Sequence, residues 1–335
     1  MKALVYTGVE ELSYIDREMP IPARDEQLVR IEASGICGSD MHAFLGHDAR
    51  RPAPLTLGHE AAGTVLGGAQ NGRRVTINPL VACGVCSACR AGKENLCPNR
   101  QIISMPPREG AFADFVAIPE RNLVTVPDHV PLQKAALAEP IACGWHAARL
   151  AKAALGGSFA GLSCAVIGGG AIGVGAALCL RAQGAQDITV VEPNELRRNT
   201  LAAIDGFDVC APDASGMPDA GSVACVVDAV GFAATRDTAS ALASPGGVIA
   251  HIGLGEATGG LDIRRMTLQE ITFIGTYTYT AQDFVDTAKA MFDGRLGTLE
   301  WTESRPLADG QRAFADIRSG QVAAPKVILK PDHTA

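Results

Sequence analysis

The chain has 335 residues, enough for about two domains, and 47% of them are apolar, so sizeable cores can be buried. A formal net charge of −7, with no run of Lys or Arg longer than a pair, argues against a nucleic-acid partner and leaves small-molecule chemistry. The opening run Met1 to Gly8 is too short and mixed for a signal peptide. The longest apolar stretch, Leu162 to Leu180, holds five glycines and begins like a strand, so a cytoplasmic protein without a membrane span is expected.

Residues 1 to about 35 alternate apolar and polar in short runs (Ala3, Val5; Val29, Ile31, Ala33) broken by Pro20 and Pro22, which predicts antiparallel strands joined by turns. From Gly35 the chain reads Gly-Ile-Cys-Gly-Ser-Asp-Met-His and, after a loop, Leu-Gly-His-Glu. Cys37, His59 and Glu60 offer a thiolate, an imidazole and a carboxylate, a set that one zinc could take with a position left open for substrate. Ser39 and His42 could pass a proton outward to water. Asp40 is a candidate acceptor for the ring N–H of His59, fixing its tautomer; the plainer reading is a solvated loop carboxylate. Arg50 and Arg51 could meet an acidic or phosphorylated sugar, against the plainer reading of a solvated surface pair. Short strands are expected at 62–66, 74–78 and 112–118, with Gly and Pro between them.

Cys83, Cys86, Cys89 and Cys97 form a C-x2-C-x2-C-x7-C knuckle, in which four thiolates can close a tetrahedron around one zinc. A zinc-ribbon nucleic-acid module is the rival reading, and the acidic balance opposes it. The other five cysteines, Cys143, Cys164, Cys179, Cys210 and Cys225, sit mostly in apolar patterns and read as small core residues, Cys143 alone keeping a minor claim on a metal. Residues 141–150 suggest a helix leading into a second domain. From Cys164 the pattern alternates strand and helix, the mark of a parallel sheet. A strand runs into Gly168-x-Gly170-x-x-Gly173 and a helix, and the next strand ends in Glu192. Glycines let backbone N–H groups approach a pyrophosphate, and an acidic residue about 20 positions on takes the ribose hydroxyls. Further strands are predicted at 207–210, 223–230, 248–253 and 271–275, with a helix at 233–243; later come helices at 282–292 and 311–317 and a last strand at 327–329.

The Cys37 to Glu60 stretch resembles the zinc-dependent medium-chain dehydrogenases, the group of alcohol, sorbitol and threonine dehydrogenases, whose pattern is Cys-Gly-Ser/Thr-Asp-x-His followed by Gly-His-Glu. The resemblance covers nearly all 335 residues. It implies an α/β fold: a β-rich GroES-like catalytic domain over 1–147 with a structural zinc lobe at about 80–100, a Rossmann doubly wound parallel sheet binding NAD over 148–276, and a return to the catalytic domain over 277–335. It implies two zincs per chain. The catalytic one would draw on Cys37, His59, Glu60 and Glu139, since the sorbitol and threonine branch places a Glu-Pro beside the metal where Glu139-Pro140 stands. Glu139 could equally cap a helix. The structural one would take Cys83, Cys86, Cys89 and Cys97.

By the same resemblance Gly168, Gly170, Ala171, Ile172, Gly173, Glu192, Arg197, Ile252 and Leu254 would meet the dinucleotide, and Ser39, His42 and Asp40 would serve catalysis. Gly72-Arg73-Arg74-Val75 departs from the usual Gly-Asp-Arg-Val, which touches only a surface turn. The sorbitol branch tends to have Arg-Tyr near Thr278-Tyr279, so a specific sorbitol assignment is weakened. The expected protein oxidises a secondary alcohol, a polyol or sugar derivative, with NAD, and forms a homodimer or homotetramer. Threonine-type or simple alcohol dehydrogenases are alternatives within the group; a zinc-knuckle nucleotide-binding protein without redox chemistry is the alternative outside it.

Overall fold

The computed structural model describes residues 1–212 and 215–333. One half of the molecule, drawn from both ends of the chain, is built mostly of antiparallel strands with apolar faces turned inward, the pair Thr302–Pro306 and Lys326–Lys330 alone being parallel. The strand Glu26–Gly35 pairs with Glu60–Leu66, with Phe115–Pro119 and, near its end, with the last strand of the chain, Lys326–Lys330. Arg74–Ile77 and Leu123–Thr125 extend one flank and Thr302–Pro306 the other, giving seven strands around Val29, Ile31, Val65, Val75, Ile77, Val116 and Ile118. At Gly63 a Cβ would lie 2.0 Å from the carbonyl oxygen of Arg30, so only glycine lets the two strands cross so closely at the irregularity between Ile31 and Ala33. A second small core gathers Leu4, Phe44, Phe112, Phe314 and Leu329 from both ends of the chain.

The other half is a six-stranded, wholly parallel sheet in the order Asp208–Cys210, Asp187–Val191, Ser163–Ile167, Val223–Asp228, Ala243–His251, Thr272–Gly275. Chain order therefore reverses beside Ser163–Ile167, where open α/β sheets leave a crevice for ligands. Gly168 turns with φ +98°, and a Cβ on Gly173 would come 1.7 Å from the carbonyl of Gly168, so the helix Ala171–Ala182 can lie against that turn only because Gly173 has no side chain.

The two halves meet at a 17-residue helix, Ala138–Ala154. It runs unbroken across the expected boundary at 147/148, because its small residues are buried on both sides: Ala138, Ala142, Ala147, Ala148 and Ala151 are all in the core. At Gly144 a Cβ would stand 2.6 Å from Ala176 N, so this helix and Ala171–Ala182 are in near-backbone contact. The helix Ala281–Phe292 packs Phe284, Ala288 and Met291 into the same core.

Asp283 fastens that helix. It occupies the third helical position and closes a capping box with Thr280. Its carboxylate also receives His146 Nδ1 (2.7 Å), Arg149 Nε (2.6 Å) and Arg149 Nη2 (3.0 Å) from the Ala138–Ala154 helix. Burial works against the charge, but the hydrogen bonds from His146, Arg149 and Thr280 outweigh it and hold the carboxyl well below the usual range. A depressed folded pKa stabilises above the unfolded value and is lost as pH falls through the folded one. Asp283→Asn is therefore expected to lose about 2 kcal/mol near pH 7 in urea denaturation, and the gap from the parent protein should shrink below about pH 4, the unfolded carboxylate value. Equal stabilities at pH 7 would contradict this.

Candidate active site

A cleft of about 500 Å³ lies between the halves, with Cys37, Ser39, His42, His59 and Glu139 on one wall and Ile172, Val230, Ile252 and Leu254 on the other. A separate hollow of about 620 Å³ is lined by Arg17, Glu26, Arg108 and Glu109, whose charges pair among themselves (Arg17–Glu109 3.3 Å, Arg108–Glu26 2.7 Å).

The catalytic stretch folds into a short helix, Gly38–Phe44, not foreseen from the sequence. Cys37 is its N-cap residue, and Asp40, three residues on, accepts the Cys37 N–H at 3.0 Å. The same carboxylate accepts Gly58 N–H at 3.2 Å and faces His59 Nδ1 at 3.4 Å. Asp40 is thus fully buried and joins both ligand-bearing loops, a helix-start residue and an anchor for His59 rather than a solvated loop carboxylate. Ser104 Oγ also lies 3.3 Å from His59 Nδ1, leaving Nε2 as the free ring nitrogen. Burial opposes charge on His59, yet Asp40 and Cys37 hold its pKa well above the imidazole norm.

One donor atom each from Cys37, His59 and Glu60 lies within 4.8 Å of the others. Thiolate, imidazole and carboxylate so gathered suit zinc. One Glu60 oxygen, Oε2, is fully buried and accepts no well-aligned hydrogen bond, so it keeps a lone pair free for a metal beside the lysine that neutralises the carboxylate. Lys326 Nζ lies 2.6 Å from both Glu60 oxygens, well aligned only to Oε1, and also donates to Ile36 O at 2.8 Å. Burial works against the lysine's charge, but Glu60 and Cys37 overcome it and raise its pKa. Glu60 lies over Gly35, where a Cβ would come 2.1 Å from Oε2.

Glu139 lines the same cleft without joining that close trio. Its Oε1 accepts Tyr279 Oη at 2.8 Å, and burial, aided by Glu60 and opposed by His59 and Tyr279, pushes its carboxyl up to about 7. Cys143, one turn further along the helix, is a cleft-lining thiol that burial pushes well up, so it is the weaker ligand candidate.

The four knuckle cysteines also converge. Cys86 and Cys89 sulfurs are 3.4 Å apart and Cys83 and Cys89 sulfurs 3.9 Å, far from disulfide contact but close to the edge of about 3.8 Å that Zn–S bonds of about 2.3 Å give a tetrahedron. Backbone N–H groups of Cys83 and Cys89 point at Cys97 and Cys86 sulfurs (3.5 Å each). Hydrogen bonds from the Val85 and Cys86 backbone draw the Cys83 thiol down to about 6.

On the cofactor side, Glu192 follows the strand Asp187–Val191 and is buried, its oxygens accepting Gly169 N–H (2.7 Å) and Asn194 N–H (2.8 Å). Arg197 Nη1 stands 3.5 Å away, whereas Arg198 turns to the carbonyls of Glu192 and Pro193. Ile172, Ile252 and Leu254 line the cleft; Gly168, Gly170, Gly173 and Glu192 lie beyond its lining.

No role at the site was expected for Lys326, Tyr279 or Ser104, whereas Arg51 stood between a sugar-binding group and a solvated surface residue. Lys326, Tyr279 and Ser104 reach the site from distant segments with no local motif. Arg51 is not part of a solvated pair: its side chain is only 2% exposed and donates to Ser104 O, Ser39 O and Asp48. Only Arg50 keeps the exposed character expected of both.

The chain resembles known proteins in both halves. Residues 23–128 match the alcohol dehydrogenase GroES-like domain and residues 171–293 match zinc-binding dehydrogenase. The chain is 32% identical over 309 residues to the L-galactonate-5-dehydrogenase of Escherichia coli, covering 88% of each. It is 28% identical to the "Probable D-xylulose reductase A" of Neosartorya fischeri over 95% of this chain and 94% of that one. A Sinorhizobium meliloti protein described as a "putative zinc-binding dehydrogenase", solved bound to NADP, superposes with TM-score 0.88 at 26% identity, covering 98% and 99% of the two chains. The chain therefore belongs to the zinc-binding dehydrogenases of the alcohol dehydrogenase family and is an oxidoreductase.

Losing one member of a buried ion pair strands the other charge. Lys326→Met should cost about 3 kcal/mol in chelator-treated protein, and Glu60→Gln combined with Lys326→Met should cost clearly less than the two single changes summed. Additive losses in denaturant titrations would show that the pair is not coupled.

Proposed function

We propose that this protein oxidises a secondary alcohol, a polyol or sugar derivative, to the carbonyl, passing hydride to NAD. The observation that carries the reading is the convergence of Cys37, His59 and Glu60 within 4.8 Å, in a cleft shared with Ile172, Ile252 and Leu254 at the end of a parallel sheet. The names of the relatives, an L-galactonate dehydrogenase and a xylulose reductase, support polyhydroxylated substrates. Residues 1–147 and 277–335 would carry the catalytic groups and 148–276 the cofactor.

Zinc held by Cys37, His59 and a carboxylate, Glu60 or Glu139, would supply a Lewis acid that eases loss of the alcohol proton. Ser39, in the cleft, would take that proton at its hydroxyl oxygen while its own hydroxyl proton passes to the ring of His42, exposed on the same short helix, which releases a proton to water. Asp40 and Ser104 hold the His59 ring with Nε2 free. Tyr279 holds the Glu139 carboxylate by its hydroxyl. Gly168, Gly170, Ala171 and Gly173 form the turn and helix start that receive the pyrophosphate. Ile172, Ile252 and Leu254 give the nicotinamide a water-poor face.

Glu192 takes the adenosine ribose and opposes a 2′-phosphate, while Arg197 moderates that repulsion. NAD preference over NADP of about tenfold to a hundredfold follows. Cys83, Cys86, Cys89 and Cys97 would hold a second zinc. Self-association as a homodimer or homotetramer is supported by the sheet-edge strand Thr272–Gly275 and the exposed Leu268 and Phe273 near it, which a second copy would cover; a monomeric mass in light scattering would rule this out.

Absorbance of reduced nicotinamide, followed across alditols, sugar acids and simple alcohols with each cofactor, tests the reading. Turnover of polyhydroxylated secondary alcohols, faster with NAD, is the expected result; no reduction with any alcohol would overturn it. Elemental analysis of Cys86→Ser is expected to give about one zinc per chain against two in the parent, with a lower melting temperature. Unchanged zinc and unchanged melting would remove the structural-site assignment.

A further inference from the structure

The cleft has a charged edge whose balance is not neutral. Asp48 is almost buried, with its side chain 8% exposed, and lies between two guanidinium groups. Arg51 binds it from the protein side at 2.8 Å and is itself fastened to Ser104 O and Ser39 O. Arg50 grips the same carboxylate in a fork, Nε to Oδ1 at 2.8 Å and Nη2 to Oδ2 at 3.0 Å, while its own N–H reaches Oδ1 at 3.1 Å.

One carboxylate thus serves two permanent cations and leaves one positive charge over. That charge sits on Arg50, whose side chain is 63% exposed and lines the cleft together with Cys37 and His59. Arg50 Nη1 has no hydrogen-bond partner among the described residues. A solvated arginine usually loses rotamer freedom when it binds; here Asp48 has already fixed the fork. Among the described residues the only other carboxylate lining the cleft, Glu139, stands on the Ala138–Ala154 helix and is held by Tyr279.

We infer that Arg50 is the docking group for the carboxylate of a sugar acid, and that the substrate is an anionic polyhydroxy acid whose secondary hydroxyl reaches Cys37 and His59 from the same cleft. The inference rests on the dehydrogenase reading above and narrows it. Guanidinium recognises carboxylate in two parallel hydrogen bonds, and here its free edge serves that purpose without disturbing Asp48. A neutral alditol would leave the surplus charge unmatched.

The test compares a six-carbon aldonate, the alditol of equal length and a six-carbon sugar phosphate as substrates of the zinc-loaded enzyme at saturating NAD. In the parent enzyme the aldonate should have the lowest KM. Arg50→Gln should raise the aldonate KM about 10- to 100-fold with kcat changed less than about threefold, and so lower the aldonate-to-alditol ratio of kcat/KM at least tenfold. Arg50→Lys, which keeps the charge and loses the fork, should recover part of the loss.

An aldonate KM that does not move, a KM rise equal for acid and alditol, or a clear preference for the sugar phosphate would each overturn the inference. Oxidation of alditols with no preference for the acid would sink it while leaving the dehydrogenase reading intact. Absence of turnover with every alcohol would instead count against that reading.

Discussion

Lys326 and Glu60 place two full charges where almost no water reaches, 3% and 0% exposed, and the architecture around the site is organised to make that tolerable. Each ion loses several kcal/mol of hydration on burial, and only close pairing with further hydrogen bonds offsets it. Lys326 finds them in Glu60 and the carbonyl of Ile36, one residue before the Cys37 ligand. The pair therefore joins the last strand to the two loops that carry the metal donors. Gly35 must be bare beneath Glu60, and the pairing of Ile328 with Gly35 and of Gly35 with Glu60 sets the register. A slip of one residue would turn Lys326 out of the core.

The cysteine knuckle acts on the same site from the other direction. Asn95 donates to Tyr277 O at 2.8 Å, Glu94 accepts Ala281 N–H at 3.3 Å, and Arg100 lies over the Tyr277 ring at 4.9 Å. The segment so clamped carries Tyr279, whose hydroxyl holds Glu139 at the cleft. A lobe without any catalytic group thus sets the position of a carboxylate close to the reacting centre. Zinc in that lobe would stiffen the clamp as well as the lobe itself.

Local patterns made much of this readable in advance. Ligands separated by few residues, a glycine turn between strand and helix, and an acid at the next strand end are each dictated by chemistry within a short window, and the parallel sheet follows from their alternation. What stayed hidden lies at long separations: Lys326 is 266 residues from Glu60, and Tyr279 is 140 from Glu139. The helix Gly38–Phe44 was missed because Gly, Ser and Asp are weak helix formers, and it is Asp40 bonding back to Cys37 that starts it. The strand Ala243–His251 begins five residues before the expected 248, since Ser244-Pro245-Gly246-Gly247 reads as a turn although it continues the ladder irregularly. Arg51 looked solvated because nothing nearby in sequence reveals that Ser104 O awaits it.

The proposed oxidation requires direct transfer of hydrogen from the carbinol carbon to the nicotinamide within the cleft between the halves. A secondary alcohol carrying deuterium on that carbon, turned over with NAD and read by mass spectrometry of the reduced cofactor, tests it most directly. One deuterium per cofactor reduced is predicted, whereas deuterium found in the solvent, with unlabelled reduced cofactor, would contradict it.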